Sequence, residues 1–235
     1  MNLLDNLLFP AKCPLCGDIL EKRRLICEAC KKEVHFIGEP RCKKCGKPLR
    51  RAETESCRDC EKSKHWYTRG ICAVSYEGAM RNAVGRFKYQ NKRCYAEFFT
   101  EIMWKAAEKH LRIWKPDVVI PIPLHPKRRK KRGFNQAYLL AKPIGERLGV
   151  PVLEHGLLRT VPTSPQKNLD RKKRQINLKR AFKIGADDVK LKRVLLVDDI
   201  YTTGSTIDAA AMVLRRAGAK EVFFLALGTG EGEEP

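Results

Sequence analysis

The stretch Val194-Leu-Leu-Val-Asp-Asp-Ile-Tyr-Thr-Thr-Gly-Ser-Thr206 decides the fold. Its four leading apolar residues make a strand too hydrophobic for an exposed sheet face, and that strand delivers Asp198 and Asp199 at its carboxyl end. The hydroxyl-rich turn Thr202, Thr203, Gly204, Ser205 and Thr206 then opens a helix that closes at Gly218. Backbone N–H groups, hydroxyls and the positive end of the helix make such a turn a cradle for an anion. Gly204 permits close backbone approach. Two carboxylates beside a phosphate cradle suit a sugar phosphate, because the acids accept from ribose hydroxyls while the turn holds the 5′-phosphate.

Three other readings compete. An ordinary strand–turn–helix with Ser/Thr capping needs one hydroxyl, not four, and leaves the adjacent acids unexplained. A phosphorylation receiver also has an acidic pair after an apolar strand, but near the start of its domain; here the pair stands late in the strand–helix series. A P-loop requires G-x-x-x-x-G-K-[ST], which is absent.

Working outward, Ile71 to Tyr76 reads as a strand. Gly78 opens a helical stretch with Met80, Val84 and Phe87 on one side. A longer helix runs from Tyr95 to Trp114 and is ended by Pro116. The run Asp117-Val-Val-Ile-Pro-Ile-Pro is a short buried strand, Phe134 to Leu148 a helix closed by Gly149, and Glu221 to Leu227 another apolar strand. The tail from Gly228 to Pro235 reads as frayed. Short apolar strands alternating with helices predict an α/β domain with a parallel sheet covered on both faces. Ligands in such sheets sit at the carboxyl ends of strands.

Before this domain lie four C-x-x-C pairs: Cys13 with Cys16, Cys27 with Cys30, Cys42 with Cys45, and Cys57 with Cys60. Each pair bites one ion with two sulfurs, and tetrahedral Zn²⁺ needs two such bites, so eight thiolates predict two structural Zn²⁺ ions. Sequential pairing assigns Cys13, Cys16, Cys27 and Cys30 to one ion and the remaining four to the other; an interleaved pairing also satisfies the count. Gly17 and Gly46 supply the backbone freedom that a knuckle turn wants. A thioredoxin-like redox site would use one pair at a helix head, not four in a row. The expected organisation is a double zinc ribbon over 1–65 and a second domain over 66–235. Cys72 and Cys94 are left over and read as small core residues.

The 235 residues carry 48 Lys+Arg against 27 Asp+Glu, a formal charge of +21, with 43% hydrophobic residues. That apolar share excludes a disordered chain, and no apolar run approaches the roughly 18–20 residues that span a bilayer. Leu3, Leu4, Leu7 and Leu8 share a helical face that Pro10 ends, and the opening lacks a signal peptide's basic flank. The expectation is a cytoplasmic protein without membrane insertion. The cations concentrate in Lys127 to Arg132 and in Arg171 to Arg174, the latter within the aperiodic segment Val161 to Arg180. A charge run is usually a solvated face, but two such clusters are also the footprint of a phosphate-backbone binder. Phe134, Tyr138, Tyr201 and Trp66 are candidate stacking faces. Lysine enrichment is also a feature of heat-adapted proteins.

The Val194–Thr206 stretch resembles the phosphoribosyl-pyrophosphate (PRPP) signature of type I phosphoribosyltransferases: apolar strand, two acids, a short spacer, then Thr-Gly-x-Thr. Several features precede it in order: the cysteine pairs, Tyr76-Glu-Gly, Phe87-Lys-Tyr, Pro121-Ile-Pro-Leu-His, Arg132-Gly-Phe-Asn-Gln and Gln166. This order resembles the ComF family (ComFC/GntX-like) of bacterial competence-associated proteins over essentially the whole chain. The resemblance implies a type I phosphoribosyltransferase fold in which Asp198 and Asp199 engage ribose hydroxyls and Tyr201, Thr202, Thr203, Gly204, Ser205 and Thr206 hold the 5′-phosphate. It implies Mg²⁺ held largely by pyrophosphate and ribose oxygens. Pro123, Leu124, His125, Arg132, Asn135 and Gln136 become candidates for the pyrophosphate loop, and residues 161–180 for a lid. The chemistry requires no general base, so none is assigned to His125. The family is associated with natural transformation. That leaves two expectations: a transferase of unknown acceptor, or a non-catalytic protein that binds single-stranded DNA and a competence helicase or other DNA-uptake partner.

Overall fold

A computed structural model describes residues 10–21, 24–160 and 181–230. Two short helices, α1 (Glu28–Lys31) and α2 (Arg58–Lys62), belong to the cysteine-rich segment. Then follow β1 (Arg69–Ser75), α3 (Gly78–Tyr89), α4 (Tyr95–Trp114), β2 (Val118–Pro121), α5 (Pro126–Arg132) and α6 (Gln136–Leu148). The series ends with β3 (Leu157–Arg159), β4 (Phe182–Ile184), β5 (Arg193–Tyr201), α7 (Ser205–Arg216) and β6 (Glu221–Thr229). The sheet order is β1-β6-β5-β2, with every pairing parallel. The α/β class with a parallel sheet is therefore the observed architecture.

The alternation along β5 builds two cores. Leu195 and Val197 face Phe99, Met103, Leu140 and Ile144 of α4 and α6, whereas Val194 and Leu196 join Ile207, Ala210 and Leu214 of α7. A strand buried on both faces has no polar positions to spare, which is why the sequence reads as an apolar run. Its first departure, at Asp198, falls beside the end of β2, where Pro121 pairs with Val197.

Several boundaries differ from the sequence reading. β5 runs through Asp198 and Asp199 to Tyr201, because Ile200 and Tyr201 still pair with Gly228 and Thr229 of β6. Those same two residues pair with Val74 and Ser75 on the other side, so they are sheet and not frayed tail. α6 starts at Gln136, because the Asn135 side chain accepts from Ala137 N and caps it. The six cations of Lys127–Arg132 form α5, with Pro126 at its start. The antiparallel β3–β4 ribbon carries no signal that the sequence reading caught. Cys94 is exposed at the head of α4 instead of buried, while Cys72 is core as expected. The helix expected at Leu3 to Leu8, the lid expected over 161–180 with Gln166 and Arg171 to Arg174, and the end of the tail (231–235) lie outside the described residues.

The cysteine-rich segment packs onto the sheet domain and shares its cores. Leu15, Cys13 and Cys30 join the core beneath α4, and Ile37, Cys42, Cys45 and Cys57 join the one beneath α7. His35 to Ile37 lie antiparallel along β1: Ile37 N donates to Ala73 O, and Ser75 N to His35 O, both at 3.0 Å. Gly46, at φ +73°, lets the second knuckle touch β1; a Cβ there would sit 2.8 Å from the Gly70 carbonyl oxygen.

Candidate functional site

Asp198 and Asp199 lie where β5 passes the end of β2, and both are buried. Asp199 Oδ1 takes the ammonium of Lys88, from the last turn of α3, at 2.9 Å; Lys88 itself is 15% exposed. Asp199 Oδ2 is buried and has no hydrogen-bond partner among the described residues. Asp198 Oδ1 accepts from Asp199 N at 2.8 Å. Burial, reinforced by the neighbouring Asp199 charge, pushes the Asp198 pKa up to about 7, against the opposing pull of Lys88 and Arg159. Burial also works against the charge on Lys88, but the Asp199 carboxylate more than offsets it and its pKa is raised.

Beyond β5 the turn closes on Gly204, at φ +75°, which stands at the N-cap of α7. Gly204 has no side chain with which to cap this helix. Thr202 and Thr203 are exposed, and Thr203 Oγ1 lies 2.8 Å from Ser205 Oγ. Four hydroxyls surround the helix start, and among the described residues none of them bonds its N–H groups. Tyr201 differs from the others. It is buried, stacked on Phe224 at 4.7 Å, with its hydroxyl on that of Tyr67. It supports the turn from behind.

The residues after β2 approach the acidic pair through the backbone, where Ile122 N donates to Val197 O at 2.9 Å. Pro123 and His125 are buried and Leu124 is half-buried. His125 accepts from Lys127 N at 3.3 Å and so caps α5. Asn135 has both ends of its amide in use, capping α6 and donating to Ile122 O at 3.2 Å. It anchors this loop. Arg132 donates to Gln136 and lies over the Tyr89 ring at 5.1 Å. Among the proposed stacking faces, Phe134 and Tyr201 are core residues and Tyr138 is half-buried; Trp66 is 44% exposed, beneath Arg216.

Two residues with evident electrostatic roles escaped assignment from sequence. Lys88 sits in Phe87-Lys-Tyr, whose only signal was its place in the family pattern. Arg159, on β3, acts on Asp198 from a strand that went unrecognised.

The cysteines gather as two groups, Cys13, Cys16, Cys27 and Cys30, and Cys42, Cys45, Cys57 and Cys60. Within each group the sulfurs lie within 4.8 Å of one another. Cys16 and Cys27 approach to 3.7 Å and Cys45 and Cys57 to 3.6 Å. A tetrahedral ion with Zn–S of about 2.3 Å separates its ligands by about 3.8 Å, so the donor sets fit zinc. The sequential pairing is the one observed.

A double zinc ribbon domain profile matches residues 4–61, and a phosphoribosyl transferase domain profile matches residues 95–230. Competence protein F of Haemophilus influenzae is 30% identical over 220 residues, covering 91% of this chain and 95% of that protein. The chain is a member of the ComF family. Other relatives are Competence protein ComFC of Streptococcus pneumoniae, 28% identical over 90% of this chain and 96% of that protein, and the DNA utilization protein YhgH of Escherichia coli K12, 28% identical over 84% of this chain and 87% of that protein. Among solved structures, a purine phosphoribosyltransferase from Pyrococcus horikoshii aligns at 23% identity and a TM-score of 0.38 over 56% of this chain and 73% of that one. Two four-cysteine groups in a double zinc ribbon support structural zinc in this ComF-family protein. No helix among the described residues is long and apolar enough to cross a membrane.

Proposed function

We propose that this ComF-family protein binds PRPP or a nucleoside 5′-phosphate above the carboxyl ends of β2 and β5. One observation carries the reading: Asp199 Oδ2, a buried carboxylate oxygen without a partner among the described residues, lies a few residues before a helix start whose N-cap is the bare Gly204. The first accepts a ribose hydroxyl, and the second donates N–H groups to the 5′-phosphate. Lys88 pairs with Asp199 and holds it in place. Thr202, Thr203, Ser205 and Thr206 ring the phosphate with hydroxyls.

In a transferase of this kind an acceptor attacks the anomeric carbon as pyrophosphate departs, and positive charge develops on the ribose ring. The Asp198–Asp199 pair lies where that charge forms, and Arg159 and α5 supply cations near the departing anion. Mg²⁺, carried largely on pyrophosphate and ribose oxygens, would screen the negative charge of the bound ligand. Calorimetry with PRPP and Mg²⁺ tests the site: binding should be abolished in the Asp198→Asn/Asp199→Asn double variant, and unchanged affinity retires the assignment. Pyrophosphate release in the presence of candidate bases tests turnover.

A second reading rests on α5, whose Lys127, Lys130 and Lys131 are exposed on one short helix. Single-stranded DNA would be held there through its phosphates, without base readout. Affinity should fall steeply with added salt and weaken when those three lysines become glutamines; a flat salt response counts against it.

A further inference from the structure

The seam between the second ribbon and α4 lies apart from the acidic pair and holds two open cavities, of about 360 and about 330 Å³. They share the side chains of Arg41 and His110 as a wall. Ligand sites are commonly clefts of roughly 300–1,000 Å³. Arg41 Nη1 and His110 Nδ1 are both buried without a hydrogen-bond partner among the described residues. A buried guanidinium N–H left this way is uncommon and points to an absent acceptor. Arg69 borders the second cavity and Lys105 the first.

The acids that could neutralise this cluster are engaged. Glu39 accepts from Arg41 Nε at 2.9 Å and from Arg41 N at 3.1 Å, which leaves Nη1 over. Glu108 takes Arg112 at 2.8 Å. Burial lowers the His110 pKa, the charges of Arg41 and Arg69 add to that, and the Glu39 carboxylate opposes it. At the mouth, the ring of Phe36 is 40% exposed with the Lys105 ammonium 5.1 Å from its centroid.

We propose that this seam is a second phosphate-binding site, taking a phosphate monoester of nucleotide size. Arg41 Nη1, Arg69 and His110 Nδ1 face the anion, and guanidinium groups suit phosphate because their donors match its oxygens two at a time. Phe36 offers a flat apolar face to the remainder of the ligand. The site is independent of the acidic pair, so a nucleotide could occupy both places on one chain.

The test follows the His110 imidazole resonances of the zinc-loaded full chain during titration with adenosine 5′-monophosphate. A saturable shift is expected, equal in the wild type and in Asp198→Asn/Asp199→Asn, which separates this site from the PRPP reading. Inorganic phosphate should produce the shift at higher concentration, and adenosine should not produce it. Arg69→Gln and Lys105→Ala, both at exposed positions, should weaken the response at least tenfold while zinc content and melting stay unchanged. A His110 resonance that does not move, that responds equally to adenosine, or that titrates normally in Arg69→Gln overturns the assignment.

Discussion

The hydroxyls of Tyr67 and Tyr201 share a hydrogen bond of 2.8 Å, joining the linker behind the second cysteine group to the last residue of β5. Tyr67 Oη also lies 3.8 Å from Cys60 Sγ. On the other side, a Cβ at Gly204 would come within 2.4 Å of Tyr201 Oη. A line of contacts therefore runs from a zinc ligand to the turn that opens α7. Trp66 N strengthens it by donating to Asp208 Oδ1, in the first turn of that helix, at 2.6 Å.

Tyr67→Phe should leave the buried Tyr201 hydroxyl unsatisfied, at a cost of about 1–3 kcal/mol. Denaturant unfolding measures that loss. Because Tyr201 backs the turn, affinity for PRPP should fall as well, whereas zinc content should not. Equal affinity in the two proteins would show that the tyrosine pair has no bearing on the turn.

Gly204→Ala combines a left-handed backbone with a contact against Tyr201 Oη. The backbone alone costs about 1–2 kcal/mol for a residue with a side chain. The variant should melt earlier and lose most of its affinity for the 5′-phosphate, as calorimetry would record.

Lys88→Met removes the counter-ion of a buried carboxylate. Breaking such a pair is worth about 3–5 kcal/mol, so the melting temperature should drop sharply. Adding Asp199→Asn to that background should restore most of it. A double variant no more stable than the single one would show that Lys88 does not act through Asp199.

Asp198 supplies a pH dependence. Its folded pKa, near 7, lies above its ordinary value of 3.8. The folded state therefore holds the proton more tightly than the unfolded chain, and this contribution to stability is complete below about pH 3.8 and lost as pH rises through 7. Asp198→Asn should accordingly gain on the wild type between pH 5 and 8, as urea titrations at each pH would read. PRPP affinity should move oppositely, rising over the same interval as the carboxylate ionises to accept a ribose hydroxyl.

Metal analysis should return two zinc ions per chain. Stripping them with a chelator should accelerate hydrogen exchange at Gly70 N and Ser75 N, which donate to Lys44 O and His35 O of the ribbon. Amides in β5, remote from the ribbon backbone, should respond far less.

Much of this architecture is legible because its signals are local. A run such as Val194 to Val197, buried on two faces, has to be apolar throughout, and C-x-x-C spacing has to match a metal's bite. The acidic pair and the turn at Gly204 are legible for the same reason, being contiguous. What escaped depends on distant partners. Asp199 finds Lys88 across more than a hundred residues, Tyr201 finds Tyr67, and the three-residue strands β3 and β4 are fixed by each other and not by any periodicity of their own. Strand ends failed likewise: Gly228 and Thr229 look like a loose tail until β1 and β5 pair with them.

The antiparallel run of His35 to Ile37 along β1 has a consequence for the life of the chain in a zinc-poor cell. A parallel sheet ends in a row of unanswered amides and carbonyls, and such a margin is a template for any other extended peptide. Here the template is kept occupied by a segment whose own shape depends on a metal. Scarcity of zinc would thus leave newly made copies prone to stick to one another, so that metal supply governs how much of the protein stays in solution.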